Sequence, residues 1–188
     1  MIDKYRQVAI SATSPIEQTQ RHRVIVEPYA DDRGWIQNAG FVLKRISALE
    51  KGTIDGPRAI VLHRTDSLTS ESALKSFEEG VGTHFIIDKD GVIQQCASLL
   101  KRTQHVGKIR SKCFEAGNCS IGEAQMIKSW GWAPTRIYNH EKSKAYPHRF
   151  PMNEDSIGIE TVAKFDGTYW EKAWTGQTSV DIHEPLCA

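Results

Sequence analysis

With 188 residues, 39% of them hydrophobic and 25% charged, the chain is long enough for one domain with a substantial core and has an ordinary globular composition. A formal net charge of +1 gives no electrostatic pointer to nucleic acid or to a membrane surface. No apolar run is long enough to span a bilayer, and Met1 to Ser14 holds no uninterrupted apolar segment of the kind a secretory signal needs.

Residues 1–56 read as a separate N-terminal segment of unassigned role, and 57–188 as the main domain. In the first, His22 to Glu27 (HRVIVE) suits a short strand and Pro28 to Gly34 a polar turn region. Phe41, Val42, Ile46 and Leu49 then recur at roughly helical spacing between Trp35 and Leu49. Gly52 to Pro57 looks like a linker. Beyond it, Arg58 to Arg64 (RAIVLHR) is short, apolar and rich in β-branched residues, which predicts a buried strand. Ser70 to Glu79 is a predicted helix with Ala73, Leu74 and Phe77 on one face, stopped by Gly80. Thr83 to Asp88, the turn Lys89-Asp90-Gly91, and Val92 to Cys96 form a predicted hairpin. Ser120 to Trp130 opens with the capping box Ser120-Ile121-Gly122-Glu123 and reads as a helix. From Gly131 through Pro134 to Pro151 the chain is expected to be irregular, and Ser156 to Ala163 (SIGIETVA) is a second predicted buried strand. No internal repeat or low-complexity tract interrupts this order. It predicts an α/β fold with a central mixed sheet flanked by helices.

The chain contains no phosphate loop, GxGxxG, GxSxG elbow or HExxH motif, so its chemistry must lie with seven histidines and their neighbours. His63 ends an apolar strand, where an imidazole needs a polar partner or a metal; a satisfied structural histidine is the competing reading. His84 sits in the hairpin with Thr83 and Phe85 pointing to the opposite face, which suits a core or supporting residue. His105 lies beside Gly107 in a loop, where it either faces a cleft or stands exposed. Glu160 lies inside SIGIETVA; a carboxylate there is either salt-bridged or kept for proton transfer.

Taken together, IVLHRT, a helix, GTHFIIDKDGVIQQ, QHVG and NEDSIGIE resemble, in that order, the zinc N-acetylmuramoyl-L-alanine amidases. That family includes phage lysozyme-type amidases and animal peptidoglycan recognition proteins. The resemblance spans about residues 57 to 165. It implies Zn2+ as cofactor, bacterial peptidoglycan as substrate, and hydrolysis of the amide between N-acetylmuramic acid and L-alanine. It implies His63 as a zinc ligand, His105 as a substrate contact on the cleft wall, and Glu160 as the group that activates water. Thr83 stands in the substrate-binding position where some members carry a tyrosine, so the tyrosine's role is not available there. The family's remaining ligands follow a further helix and strand. Here only 28 residues follow Glu160, and His183 and Cys187 have the right residue types and order at shorter spacing. If they do not complete the site, a non-catalytic peptidoglycan-binding module of the same fold remains.

Cys113 and Cys119 enclose a short loop suited to a disulfide and an oxidising compartment such as the periplasm. Alternatively, Cys119 at a helix N-terminus is the nucleophile of a Cys-His amidohydrolase. Trp130, Trp132, Tyr138 and Tyr146 suit either a sugar-binding wall or ordinary loop packing, and His140 and His148 read as solvated surface. Without a signal peptide, a cell-wall hydrolase reaches its target by lysis or through a secretion machine. An immunity protein would be the expected partner in the second case.

Overall fold

The computed structural model describes residues 27–165 apart from residue 55. The proposed strand at His22 to Glu27, except Glu27 itself, and the His183 and Cys187 positions lie outside the described residues.

Strands β1 (Tyr29–Ala30) and β2 (Ile36–Gln37) pair antiparallel as a small ribbon. Strand β3 (Val42–Leu43) joins the main sheet instead, and a 3-10 turn follows at Ser47–Leu49. The helical spacing read between Trp35 and Leu49 is therefore not realised as a helix. Val42 and Leu43 pair with Gln94 and Gln95 instead, and the Lys44 and Ile46 amides go on to donate to the Gln95 and Cys96 carbonyls, each at 2.8 Å, so the backbone through the apolar residues is held extended. Leu49 and Ile46 still reach the core.

Five strands form the main sheet: β3, β4 (Ala59–Arg64), β5 (Phe85–Ile87), β6 (Ile93–Gln95) and β7 (Ser156–Thr161). Their order is β3-β6-β5-β7-β4. Strand β6 runs parallel to β3 and antiparallel to β5, whereas β7 is parallel to both β5 and β4. This is the expected mixed α/β sheet. The last described strand in sequence is inserted beside β4, so the pairing of residues 59–64 with 156–161 closes a loop of about ninety residues between them. One expectation needs correcting: among the described residues β4 is an edge strand, and its alternate residues Ile60 and Leu62 stand exposed. Only the face bearing Val61 and His63 turns inward, because successive side chains point to opposite faces.

Two apolar clusters cover that inward face. Helix α1 (Ser70–Glu78) lays Ala73, Leu74 and Phe77 against Ile46, Leu49, Ile86, Cys96, Ala97 and Val162. Gly80 ends the helix with φ 88°, as its position after the periodic residues requires. Val106, Ile109 and Met152, with Val61 and Tyr138 packed on them, form the second cluster.

The insertion between the QHVG loop and β7 is more ordered than its sequence suggests. After the short helix α2 (Lys112–Glu115), helix α3 (Ile121–Trp130) starts where the capping box predicts, with Ser120 Oγ accepting from the Glu123 amide at 3.2 Å. The reciprocal half of the box is absent. The Glu123 carboxylate instead accepts from His140 Nε2 at 2.8 Å and from Lys144 Nζ at 2.6 Å. Those partners sit on or just after helix α4 (Pro134–Lys142), in the stretch expected to be irregular. Pro134 at the first turn was the available signal, since its missing amide costs nothing there. His140 is thus an internal partner with a side chain 23% exposed, not solvated surface.

Candidate functional site

Register places the predicted residues before any side-chain detail. In the parallel pair β4–β7, His63 is opposite Glu160 and Val61 opposite Gly158, while Glu160 is also opposite Ile86 on β5. Directly paired residues share a face. His63 and Glu160 therefore stand side by side on the inward face, in the strip between the two apolar clusters.

His105 enters this strip from the loop after β6. Its amide and that of Val106 both donate to Asn153 Oδ1, at 3.0 and 2.7 Å, which pins the loop to the turn before β7. The ring then lies over Gly158. A Cβ at Gly158 would come within 2.7 Å of His105 Cγ and 2.8 Å of Thr83 Cγ2, so glycine is what allows the ring so close to the sheet. Gly158→Ala should force His105 outward and lower stability by about 1–3 kcal/mol, as overpacking does. Urea midpoints of the two proteins measure this, and an unchanged midpoint would mean that the ring yields freely.

Three imidazoles meet here. His105 makes edge-to-face contacts with His63 and His84, at centroid distances of 5.4 and 5.9 Å. His63 Nε2 lies 3.2 Å from His105 Nδ1. His84 is fully buried with both nitrogens satisfied: the Gly158 amide donates to Nδ1 at 3.1 Å, and Nε2 donates to the Lys101 carbonyl at 2.8 Å. It is a support for the site, as its place in the hairpin suggests. Burial pushes the His84 pKa down to about 4 and that of His105 to about 3, and it lowers that of His63 as well. All three rings are therefore neutral at physiological pH, the form in which imidazole binds metal. Thr83 is buried, and its hydroxyl donates to the Phe85 carbonyl at 2.7 Å. Its methyl helps support the His105 ring.

Glu160 responds to burial in the opposite sense. Desolvation raises its pKa from 4.5 to about 7. No hydrogen bond or ion pair reaches its carboxylate among the described residues, which separates it from the salt-bridged reading. A carboxyl titrating near neutrality beside an imidazole suits proton transfer.

His63 fits a zinc site in kind: a neutral imidazole on a rigid strand, half shielded from water. The two groups of three potential ligands among the described residues lie elsewhere and fit poorly. Cys113 and Cys119 are joined as a disulfide, which removes both thiolates from the first group. In the second, Lys144 Nζ already sits 2.6 Å from Glu123 and 2.5 Å from Glu141 and supplies the positive charge. Among the described residues no group of three potential ligands includes His63. The aromatic residues of the insertion pack on one another's neighbours: Trp130 under Arg136 and against His140, Trp132 under Arg110, Tyr138 under Lys142.

The sequence did not reveal the contact between His63 and His105. They are 42 residues apart, and only the register of β7 with β4 and the glycine at 158 bring them together.

A family model described as N-acetylmuramoyl-L-alanine amidase matches residues 53–184. No curated protein and no solved structure gave a significant match. The match covers most of the chain, runs from before β4 to beyond β7, and includes every candidate residue except Cys187. The chain belongs to the N-acetylmuramoyl-L-alanine amidase family.

Proposed function

We propose that this protein is a peptidoglycan hydrolase that cuts the amide between N-acetylmuramic acid and L-alanine. The observation that carries the proposal is the pairing of His63 with Glu160 across β4 and β7, one a neutral imidazole and the other a carboxyl raised to about 7. His63 would hold a zinc ion together with His183 and Cys187. When bound, zinc polarises the scissile carbonyl and acidifies water. Glu160 as carboxylate would take the proton from the attacking water and return it to the departing L-alanine nitrogen. His105 would form part of the cleft wall, with Thr83 acting on the substrate only through its support of that ring.

The test is to measure zinc content and release of stem peptide from purified peptidoglycan on one preparation, with and without chelator. About one zinc per chain is expected, with release lost in chelator and restored by added zinc. Binding to insoluble peptidoglycan with neither zinc nor release would favour a recognition module. Release that is indifferent to chelator, appears only on reduction and stops on alkylation would point to Cys119, whose thiol the disulfide to Cys113 otherwise blocks. The Cys113–Cys119 disulfide supports action in the periplasm or on the cell wall, where thiols oxidise. Delivery by lysis or a secretion machine, with an immunity protein in the latter case, belongs to the same reading.

A further inference from the structure

We infer that His105 is a positioning residue for His63: it fixes the tautomer in which His63 Nδ1 carries the lone pair offered to a metal ion. The argument begins at Ser156. Its hydroxyl has one proton, donated to the Met152 carbonyl at 2.7 Å. Its own carbonyl has none to give. Both Ser156 oxygens lie 3.3 Å from His105 Nε2, so this nitrogen must be the donor. A neutral imidazole carries one N–H, which leaves a lone pair on His105 Nδ1. That lone pair faces His63 Nε2 at 3.2 Å. Two facing lone pairs would repel, so His63 Nε2 bears the proton and donates it. The lone pair of His63 is then on Nδ1.

Metal-binding histidines are commonly oriented by a carboxylate or carbonyl that accepts from the second ring nitrogen. Here another imidazole fills that place, itself oriented by Ser156. The ring that does this is held tightly, by Asn153 at its backbone and by Gly158 beneath it. With both nitrogens engaged inside the protein, His105 has no ring nitrogen left for substrate. Its contribution to a cleft wall would come from the ring edge.

The metal-binding part of this inference rests on the zinc reading, but the tautomers do not, so they are measured first. In metal-free protein with 15N-labelled histidine, long-range 1H–15N spectra should show both His63 and His105 as Nε2–H forms. Zinc titrations then compare wild type with His105→Phe and His105→Asn. The phenylalanine variant should bind zinc about 10–100-fold more weakly, the usual effect of losing such a partner. Asparagine places a carboxamide oxygen near the position of Nδ1 and should restore most of the affinity. The inference is overturned if His63 is an Nδ1–H tautomer, or if the asparagine variant is as weak as phenylalanine. It is equally overturned if zinc shifts His105 Nδ1 as a ligated nitrogen, since two zinc-bound nitrogens also sit about 3.3 Å apart at usual bond lengths. Wild type that binds no zinc but shows both expected tautomers would sink the zinc reading and leave the relay standing.

Discussion

His63→Ala should lose zinc and stem-peptide release together, while the fold persists. The ring sits on β4, the edge strand among the described residues, partly exposed and outside both apolar clusters, so its removal takes little from the core. Metal polarisation of a carbonyl contributes several kcal/mol to the transition state, and about 4 kcal/mol corresponds to a thousand-fold in rate. A thousand-fold loss of release with unchanged urea unfolding is therefore the expected result. The loss should appear in kcat rather than KM, because the substrate's glycan and peptide contacts remain. A variant that still cleaves at a tenth of the wild-type rate would remove His63 from the metal site. One that unfolds would return His63 to the structural role that an isolated imidazole in an apolar strand first suggests. The same variant also frees His105 Nδ1 of its donor, which makes it a second readout of the relay: the His105 Nε2–H should persist, because Ser156 alone dictates it.

The legible parts of this fold were those governed by local chemistry. Helix α1 followed from three apolar residues on one face and a terminal glycine, and the β5–β6 hairpin from a Lys89-Asp90-Gly91 turn between apolar runs. The failures came where a local pattern lost to backbone geometry or to a distant partner. Between Trp35 and Leu49 the apolar spacing was helical, yet pairing with β6 and the backbone bonds that extend it hold residues 42–46 against the sheet. In the insertion, helix α4 was hidden because one of its two buried residues, Glu141, is charged. That carboxylate is fully buried, accepting from the Lys112 amide at 3.1 Å and from Lys144 at 2.5 Å, so polarity marked the interior rather than the surface. At the site, residue types suggested the roles proposed for His63 and Glu160 through resemblance, whereas their adjacency is a matter of strand register. Nothing local to Ser156 or Gly158 marks them as the residues that orient and admit the His105 ring.

Glu160→Gln should produce two opposite effects, and their combination is diagnostic. In the metal-free wild type the Glu160 carboxyl titrates near 7, against 4.5 as its ordinary value. The folded state thus holds this proton more tightly than the unfolded chain. Its favourable contribution is complete below about pH 4.5, declines as pH rises through 7, and is lost above that. At pH 8 the native protein instead holds a half-buried, unpaired carboxylate, at a cost of up to about 3 kcal/mol. Glutamine fills the same space without the charge. Urea unfolding should therefore find the variant more stable than wild type at pH 8 and nearly equal to it at pH 4.5. Activity should move the other way, falling about 10²–10⁴-fold, because glutamine cannot accept a proton. The wild-type rate should rise with pH as Glu160 ionises, with a midpoint below 7 once a cation sits beside it at His63. A carboxylate kept for a structural salt bridge would show the reverse, a loss of stability on becoming glutamine that is largest at high pH. Greater stability at alkaline pH joined to lost turnover is the signature of a buried group whose burial costs stability and serves catalysis.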